Sequence, residues 1–516
     1  MIQTSSTDRK LVKNWLKENG FTRDEMFWFA DSVKLTSHMS KFERLFGRKM
    51  FILKKKYPVF SRDTVFQLPD HIRPIIEVID GNHHQYQIKR IPVRDRSIDE
   101  YLYDSNADPG LVTTEVLQRI YQIPQDKLPL NGNLTSVGAM EYRGAYGFSQ
   151  SNLKTSQKEN GLKVQQISKN NIIGNNISPD GESQLDVQMI AQTAPGAQMW
   201  YEIFDGWMFS WATDFFNRKR IPYIVSISWG WNEDDQCSLG TGICNNENSQ
   251  EYVRRANYEF MKLAARGVTI LVSSGDAGSP GRTDEICQPI NNQTMNPVFP
   301  GSSKWVTSVG ATYLVAPKLN SGNSSARTPV CRKEDCAQGN VERGVTIAHQ
   351  EMFWTSGAGF DRWEQTPAWQ YHEVLSYLNS GVEFPAQTYW NRGNRAYPDV
   401  SAIGHNCAVN EGGFWSPNDG TSCSSPVFAG VLAILNDHQM KQGKPRIGFA
   451  NPLLYTMSKS DSSTFHDIAH GNSSCTEMEC CGPNYGFVAR QGGWDPVTGL
   501  GTPNVANMLA WLDKHT

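Results

Sequence analysis

The sequence predicts an α/β protein built on a mainly parallel sheet with flanking helices, preceded by a small α+β unit. Three observations carry that prediction. Near-continuous apolar strands at 223–228, 268–273 and 305–309 alternate with segments of helical periodicity, the pattern of a sheet covered on both faces. The N-terminal stretch holds short helix and strand signals and no cysteine, and a charged, irregular stretch follows it. The 516 residues exceed one compact core and fit one large domain plus a smaller one.

Taken in order, Leu11, Val12, Trp15 and Leu16 make one helical face that Gly20 ends, and 26–30 is a strand. A second such pair follows. Met39, Phe42, Leu45 and Phe46 form the apolar side of a helix over 36–46, and 49–53 is a strand that runs into Lys54, Lys55 and Lys56. From 88 to 109 the text turns charged and irregular, as an exposed linker does. The predicted layout is therefore a small unit at 1–85, a linker at 86–110 and the large domain at 111–516. In that domain 199–203, 223–228, 268–273 and 305–309 (ending at Gly310) are strands, and 207–217 and 252–265 are helices. Sites in such sheets lie outside the carboxyl ends of the strands, which draws attention to the turns Ser228-Trp229-Gly230 and Ser274-Gly275-Asp276.

Lysine plus arginine number 49 and aspartate plus glutamate 52, for a net charge of -3, and no basic run marks a nucleic-acid or anionic-membrane partner. No apolar run reaches the roughly 18 residues of a membrane span, and the first ten residues lack the apolar core of a signal peptide. A soluble chain is expected. All ten cysteines lie between Cys237 and Cys481, which favours structural disulfides and an oxidising compartment. Cys237 with Cys244 and Cys331 with Cys336 could each close a small loop, whereas Cys475, Cys480 and Cys481 are too crowded to pair uniquely from spacing. Sequons stand at Asn133, Asn176, Asn292, Asn323 and Asn472.

The stretch Gly420-Thr421-Ser422-Cys423-Ser424-Ser425-Pro426 precedes Val427, Phe428, Val431, Leu432 and Leu435, which repeat at helical spacing. Ser422 thus sits at a helix entrance, with Ser425 as the expected cap and Pro426 in the first turn. There the helix N–H groups and dipole point back at a hydroxyl, as for an activated nucleophile. None of the eleven histidines stands in a turn typical of a serine triad. The other base is a carboxylate. Glu182 and Asp186, four apart on a helix expected to start at Ser178-Pro179, stack on one face, disfavour joint ionisation and would share a proton. Asp276 lies in a glycine-flanked turn at the end of the 268–273 strand.

A serine at a helix entrance, a carboxylate pair and a strand-end aspartate resemble the sedolisins, or serine-carboxyl peptidases, which have a subtilisin-like fold. The blocks 224–230 (IVSISWG), 298–312 (VFPGSSKWVTSVGAT), 356–360 (SGAGF) and 395–402 (RAYPDVSA) resemble the family in family order, most of all its lysosomal tripeptidyl peptidase members. The resemblance implies Ser422 as nucleophile, Glu182 as general base, Asp186 as its orienting partner and Asp276 as the oxyanion-stabilising acid. It implies an acid-acting peptidase on peptides or unfolded proteins, with tripeptidyl peptidase action expected and endopeptidase action as the alternative. A non-catalytic peptide-binding relative fits less well, because all four site residues are present.

The segments 465–468 and 492–503 resemble the family's calcium site, with carboxylates from Asp467 and Asp495 and carbonyls from Ile468, Gln491 and Gly493. The blocks 12–21 and 66–81 resemble the later part of a ferredoxin-like propeptide, shorter than a complete one, which implies a zymogen held by its own propeptide. Cleavage is expected between Tyr101 and Leu111, a monomer is expected, and the implied location is lysosomal or secreted.

Overall fold

In the computed structural model, residues 4–53, 57–60, 66–76, 79–80, 111–142, 145–238, 242–243, 248–281, 295–314, 342–348 and 352–515 are described. The 86–110 linker and Cys244, Cys331 and Cys336 lie outside them. The chain forms two compact units, one of residues 1–89, 206–219 and 234–259, the other of 90–205, 220–233 and 260–516.

In the first unit, Ser5 caps the helix Ser6–Glu18, and that helix buries Val12, Trp15 and Leu16. Leu11, expected on the same face, is exposed. The second helix covers its apolar side but starts three residues later than the expected 36–46. It spans Met39–Phe46 because His38 accepts from the Ser40 N–H and caps it there. Phe21, Met26, Leu45, Phe46, Phe66 and Ile72 complete one core with the first helix. Two antiparallel pairs, Met26–Trp28 with Val33–Leu35 and Met50–Leu53 with Tyr57–Phe60, give the α+β character. The helix Met208–Asn217 and most of Ser249–Ala265 belong to this unit too.

The second unit holds an eight-stranded sheet: β1 Ser136–Tyr142, β2 Ile172–Ile173, β3 Gln198–Phe204, β4 Ile224–Ile227, β5 Thr269–Ser273, β6 Thr307–Leu314, β7 Glu342–Gly344 and β8 Val400–Ile403. Their order is β7-β6-β5-β4-β1-β3-β2, and β8 also pairs with β6. Every pairing is parallel except β6 with β7. β4 and β5 are buried at every position, as their unbroken apolar runs require. β6 does not stop at Gly310 but continues to Leu314, since its second half pairs with β8 and β7.

The long helix Thr421–Lys441 is buried from Thr421 to Gln439, so polar and apolar faces alike are enclosed. Against it packs the helix Gly181–Thr193, buried from Ser183 onward. Gly430 allows the approach: a Cβ there would lie 2.6 Å from that of Thr193.

Candidate active site

Two corrections place the nucleophile. The Thr421–Lys441 helix begins six residues before its apolar repeat starts at Val427, with Gly420 as its N-cap at φ 137°, so Ser425 does not cap and Pro426 lies inside the helix. Ser422 is the second helical residue, 8 % exposed. The acid helix starts at Gly181, not at Ser178-Pro179. Asp180 caps it, accepting from the Ser183 N–H at 3.0 Å while its other oxygen takes the Tyr146 and Gly147 N–H groups. Glu182 falls in the first turn, half-buried, and Asp186 one turn further in, fully buried.

Ser228, just beyond the carboxyl end of β4, joins the two helices. Its hydroxyl is 2.9 Å from both oxygens of Asp186 and 3.3 Å from the Ser422 carbonyl oxygen. Burial pushes the Asp186 carboxyl well above the usual carboxylate range, the charges of Glu141 and Glu182 add to the rise, and Ser228 offsets part of it. Glu141, buried on β1, accepts from the Trp229 indole N–H at 2.7 Å.

Asp276 leaves the end of the neighbouring strand β5. Its Oδ1 accepts from the Thr421 N–H at 2.8 Å and the Thr421 hydroxyl at 2.7 Å, and the Thr421 hydroxyl oxygen in turn accepts from the Gly275 N–H. A Cβ at Gly420 would stand 3.6 Å from Asp276 Oδ2, 3.5 Å from the Ser422 nitrogen and 3.6 Å from Ser422 Cβ. Asp276, the Ser422 N–H and the Ser422 side chain therefore surround one small space, open because residue 420 has no side chain. His405, in the turn beside this one, pairs with Asp419 at 2.5 Å.

Comparison with known proteins supplies the family. Residues 1–84 match the family described as Pro-kumamolisin, activation domain, and 171–447 match the Subtilase family. Physarolisin of Physarum polycephalum is 35% identical over 505 residues, 97% of this chain and 84% of that protein. The chain belongs to the sedolisin family of serine peptidases. Tripeptidyl-peptidase 1 of Rattus norvegicus is 27% identical, covering 99% of this sedolisin and 84% of its own length, and that of Homo sapiens is 31% identical, covering 64% and 51%. A solved structure, Pseudomonas sedolisin complexed with two molecules of pseudo-iodotyrostatin, superposes at a TM-score of 0.56 with 24% identity over 78% of this chain and 98% of that one, a likeness of fold.

Sequence reasoning on this sedolisin marked Ser228-Trp229-Gly230 by position but gave those residues no role, and it missed Glu141. A carboxylate within an otherwise buried strand was the available signal for Glu141, since such a group is costly unless partnered. The cysteine crowding resolves as well. Cys475 pairs with Cys480, and Cys407 pairs with Cys423, the residue after the candidate nucleophile.

The two C-terminal loops of this sedolisin also meet. The Gly492 N–H donates to Asp467 at 2.7 Å, the Thr498 hydroxyl approaches the Ile468 carbonyl at 3.4 Å, and Asp495 Oδ2 accepts from the Arg490 N–H at 3.2 Å. Asp495 is fully buried and Asp467 lies close enough to repel it. Gln491 and Gly493 flank them on the exposed turn. Among the described residues no three or more His, Cys, Asp or Glu form a metal cage. Two repelling carboxylates on loops rich in carbonyls nevertheless fit a hard cation whose other ligands are carbonyl oxygens and water.

Proposed function

We propose that this sedolisin is an acid-acting tripeptidyl peptidase that removes tripeptides from free N-termini through a Ser422 acyl-enzyme. The observation that carries the reading is the convergence of Ser228, Asp186, the Ser422 backbone and Asp276 on the first turn of one helix. Glu182 takes the Ser422 hydroxyl proton as the oxygen attacks the scissile carbonyl, and returns it to the leaving amine. Asp186 orients Glu182 and holds the pair's shared proton. The Ser422 N–H and a protonated Asp276 donate to the developing oxyanion. Water then repeats the sequence on the acyl-enzyme.

The tripeptidyl specificity is supported by the tripeptidyl-peptidase 1 relatives, and the second reading is an acid endopeptidase of the same family. Asp467 and Asp495, with carbonyls of Ile468, Gln491 and Gly493, would hold calcium, which when bound braces the two loops. The disulfides favour an oxidising compartment, and a carboxylate base an acidic one, so we place the enzyme in a lysosome or outside the cell. Maturation follows acid self-cleavage between Tyr101 and Leu111.

The test is a fluorogenic tripeptide with a free amine against its N-acetylated form at about pH 4, in the carboxyl pKa range. Loss of cleavage on acetylation supports tripeptidyl action, and equal cleavage assigns an endopeptidase. Ser422→Ala and Glu182→Gln should each abolish turnover, and the double variant should be no slower than either, because residues that act as a unit lose about as much singly as together. A clearly slower double variant would sink the pairing.

A further inference from the structure

One strand edge in the peptidase unit is closed by a single backbone bridge, at Val112, and beyond it by side chains. Cys407–Glu411 and Phe414–Asn418 form an antiparallel hairpin in which Cys407 faces Asn418 and Glu411 faces Phe414. Along such a strand alternate residues turn their N–H and C=O to opposite edges, so Ala408 and Asn410 form one edge together. The Ala408 N–H donates to the Val112 carbonyl at 3.1 Å, and Gln192 Nε2 donates to the Ala408 carbonyl at 2.9 Å. Gln188 satisfies both groups of Asn410: its Nε2 donates to the carbonyl at 2.9 Å, and its Oε1 accepts from the N–H at 2.8 Å. Gln188 and Gln192 stand one turn apart on the acid helix, both fully buried.

The same strand is fastened to the nucleophile. Cys407 is disulfide-bonded to Cys423, next to Ser422. Just before the strand, the Gly404 carbonyl accepts from the Gly420 N–H at 2.9 Å, and the Asn406 N–H donates to Asp419 at 2.7 Å. The helix bearing the carboxylates and the turn bearing the serine are thus tied to four consecutive residues, 407–410, by directional bonds. Of the other buried groups of the acid helix, Leu185, Met189 and Ile190 pack without direction, Ser183 and Gln184 accept from the Tyr201 hydroxyl and the Ser149 N–H, away from Ser422, and Asp186 reaches the nucleophile turn only through Ser228.

Resting on the reading of Ser422, Glu182 and Asp186 given above, we infer that the 407–418 hairpin is the spacer that fixes the acid helix against the nucleophile turn. Gln188, Gln192 and the Cys407–Cys423 disulfide are positioning residues for the reaction. A shift of about 1 Å between base and nucleophile costs on the order of a hundredfold in rate, so the spacer acts on kcat. A merely structural hairpin would change melting temperature and leave kcat per folded molecule alone.

The experiment uses the full chain after acid activation, with kinetics on a fluorogenic peptide that the wild type cleaves, normalised to folded protein by near-UV circular dichroism. Gln188→Met removes both amide bonds at similar volume and should lower kcat by about tenfold to a hundredfold, with KM within about twofold. Gln188→Glu can donate and accept as the amide does while its carboxyl is protonated, so it should recover most of that loss at acid pH and lose it again as pH rises. Cys407→Ala with Cys423→Ala should lower kcat in the same range, and adding Gln188→Met should cost less than the product of the two effects. Should Gln188→Met fail to fold, Gln192→Leu, which breaks the bond to the Ala408 carbonyl and a longer one to the Ser156 hydroxyl, carries the measurement with a loss of at least about threefold in kcat. Wild-type kcat in the folded hairpin variants, with lowered melting temperature alone, overturns the spacer. If instead Ser422→Ala retains turnover, the reading of the site fails, whatever the hairpin variants do.

Discussion

Pro426 has no N–H to offer the carbonyl four residues back, and that carbonyl belongs to Ser422. The hydroxyl of Ser228 approaches it instead, and the same hydroxyl touches both oxygens of Asp186. One hydroxyl has one proton to give. With Asp186 ionised, Ser228 donates to the carboxylate. With Asp186 protonated, the carboxyl can donate to Ser228 and free its proton for the Ser422 carbonyl, so the protonation of a buried acid reaches the nucleophile's own backbone. Asp276 works on the opposite side. Its Oδ1 is occupied by Thr421, which leaves Oδ2 to border the space over Gly420 that the Ser422 nitrogen and Cβ also border. An ionised Oδ2 would repel a developing oxyanion, whereas a protonated one would donate to it. Asp276→Asn keeps an oxygen for Thr421 and a pH-independent donor at the other position, so it should retain more activity than Asp276→Ala and extend it toward neutrality. Asp276→Ala should lose about a hundredfold to a thousandfold in kcat, as for one oxyanion donor. Wild-type turnover by Asp276→Ala at acid pH would reduce Asp276 to a cap of the nucleophile helix.

At the scale of elements, the strands were legible because burial on both faces leaves an unbroken apolar run, as at Ile224–Ile227 and Thr269–Ser273. The four candidate site residues were legible for a different reason: Glu182, Asp276 and Ser422 stand in short motifs at element ends, and Asp186 follows Glu182 by one helical turn. Helix starts were harder. Thr421 to Pro426 resembles a cap followed by a first turn, but Gly420 at positive φ lets the helix begin before the apolar repeat does. The hairpin at 407–418 and its disulfide were not legible, since pairing depends on contacts far apart in sequence. Asp180 offers a test of the acid helix. It caps that helix and also takes the Tyr146 and Gly147 amides. Asp180→Ala should cost about 1–2 kcal/mol in urea denaturation of the inactive Ser422→Ala chain, whereas Asp180→Asn, an equally good cap whose NH2 group cannot accept from the Tyr146 and Gly147 amides, should fall between that variant and the parent. Equal midpoints for the Ala variant and its parent would remove the cap from the account. The loops proposed to hold calcium need a paired comparison, because Asp495 also accepts from the Val497 and Thr498 N–H groups and its loss destabilises the turn by itself. A chelator should lower the melting temperature of the wild type and leave Asp495→Ala unmoved; at about a hundred times Kd the bound ion is worth about 2.7 kcal/mol. A chelator effect equal in both proteins would place the cation elsewhere.

Across the whole molecule the shifted carboxyls of the first unit are lowered and the fully buried ones of the second are raised, while Asp461 and Asp513 near the surface of the second are lowered by hydrogen bonds from Ser463 and from Gln442 and His438. In the first unit, Lys41, Ser37 and the Thr22 N–H hold Glu25 down at about 2, and the Met50 N–H lowers Glu43. Burial pushes Asp214 up, but Arg218 and Lys34 outweigh it and leave it low. In the second unit, burial raises Asp186, Glu233, Glu342, Asp361 and Asp399; Asp361 reaches about 6 beside Glu233, and Arg395 offsets only part of the rise at Asp399. The signs follow from linkage. A lowered carboxyl contributes stability above its unfolded pKa, near 4, and that contribution drains away as pH falls toward its folded value. A raised carboxyl is fully tolerated below about 4 and costs progressively more as pH rises toward its folded value, from about 4 to about 6 for Asp361. Acidification from pH 6 to pH 3 should therefore weaken the first unit while strengthening the second, a sequence suited to a propeptide that lets go in acid. Hydrogen exchange on the Ser422→Ala chain, which cannot process itself under the proposed mechanism, reads the two separately. Protection within residues 6–46 should fall across that interval while protection in β4 and β5 holds or rises. If both units lost protection together, acid activation would have to begin in the peptidase unit, and the buried carboxyls would be incidental to it.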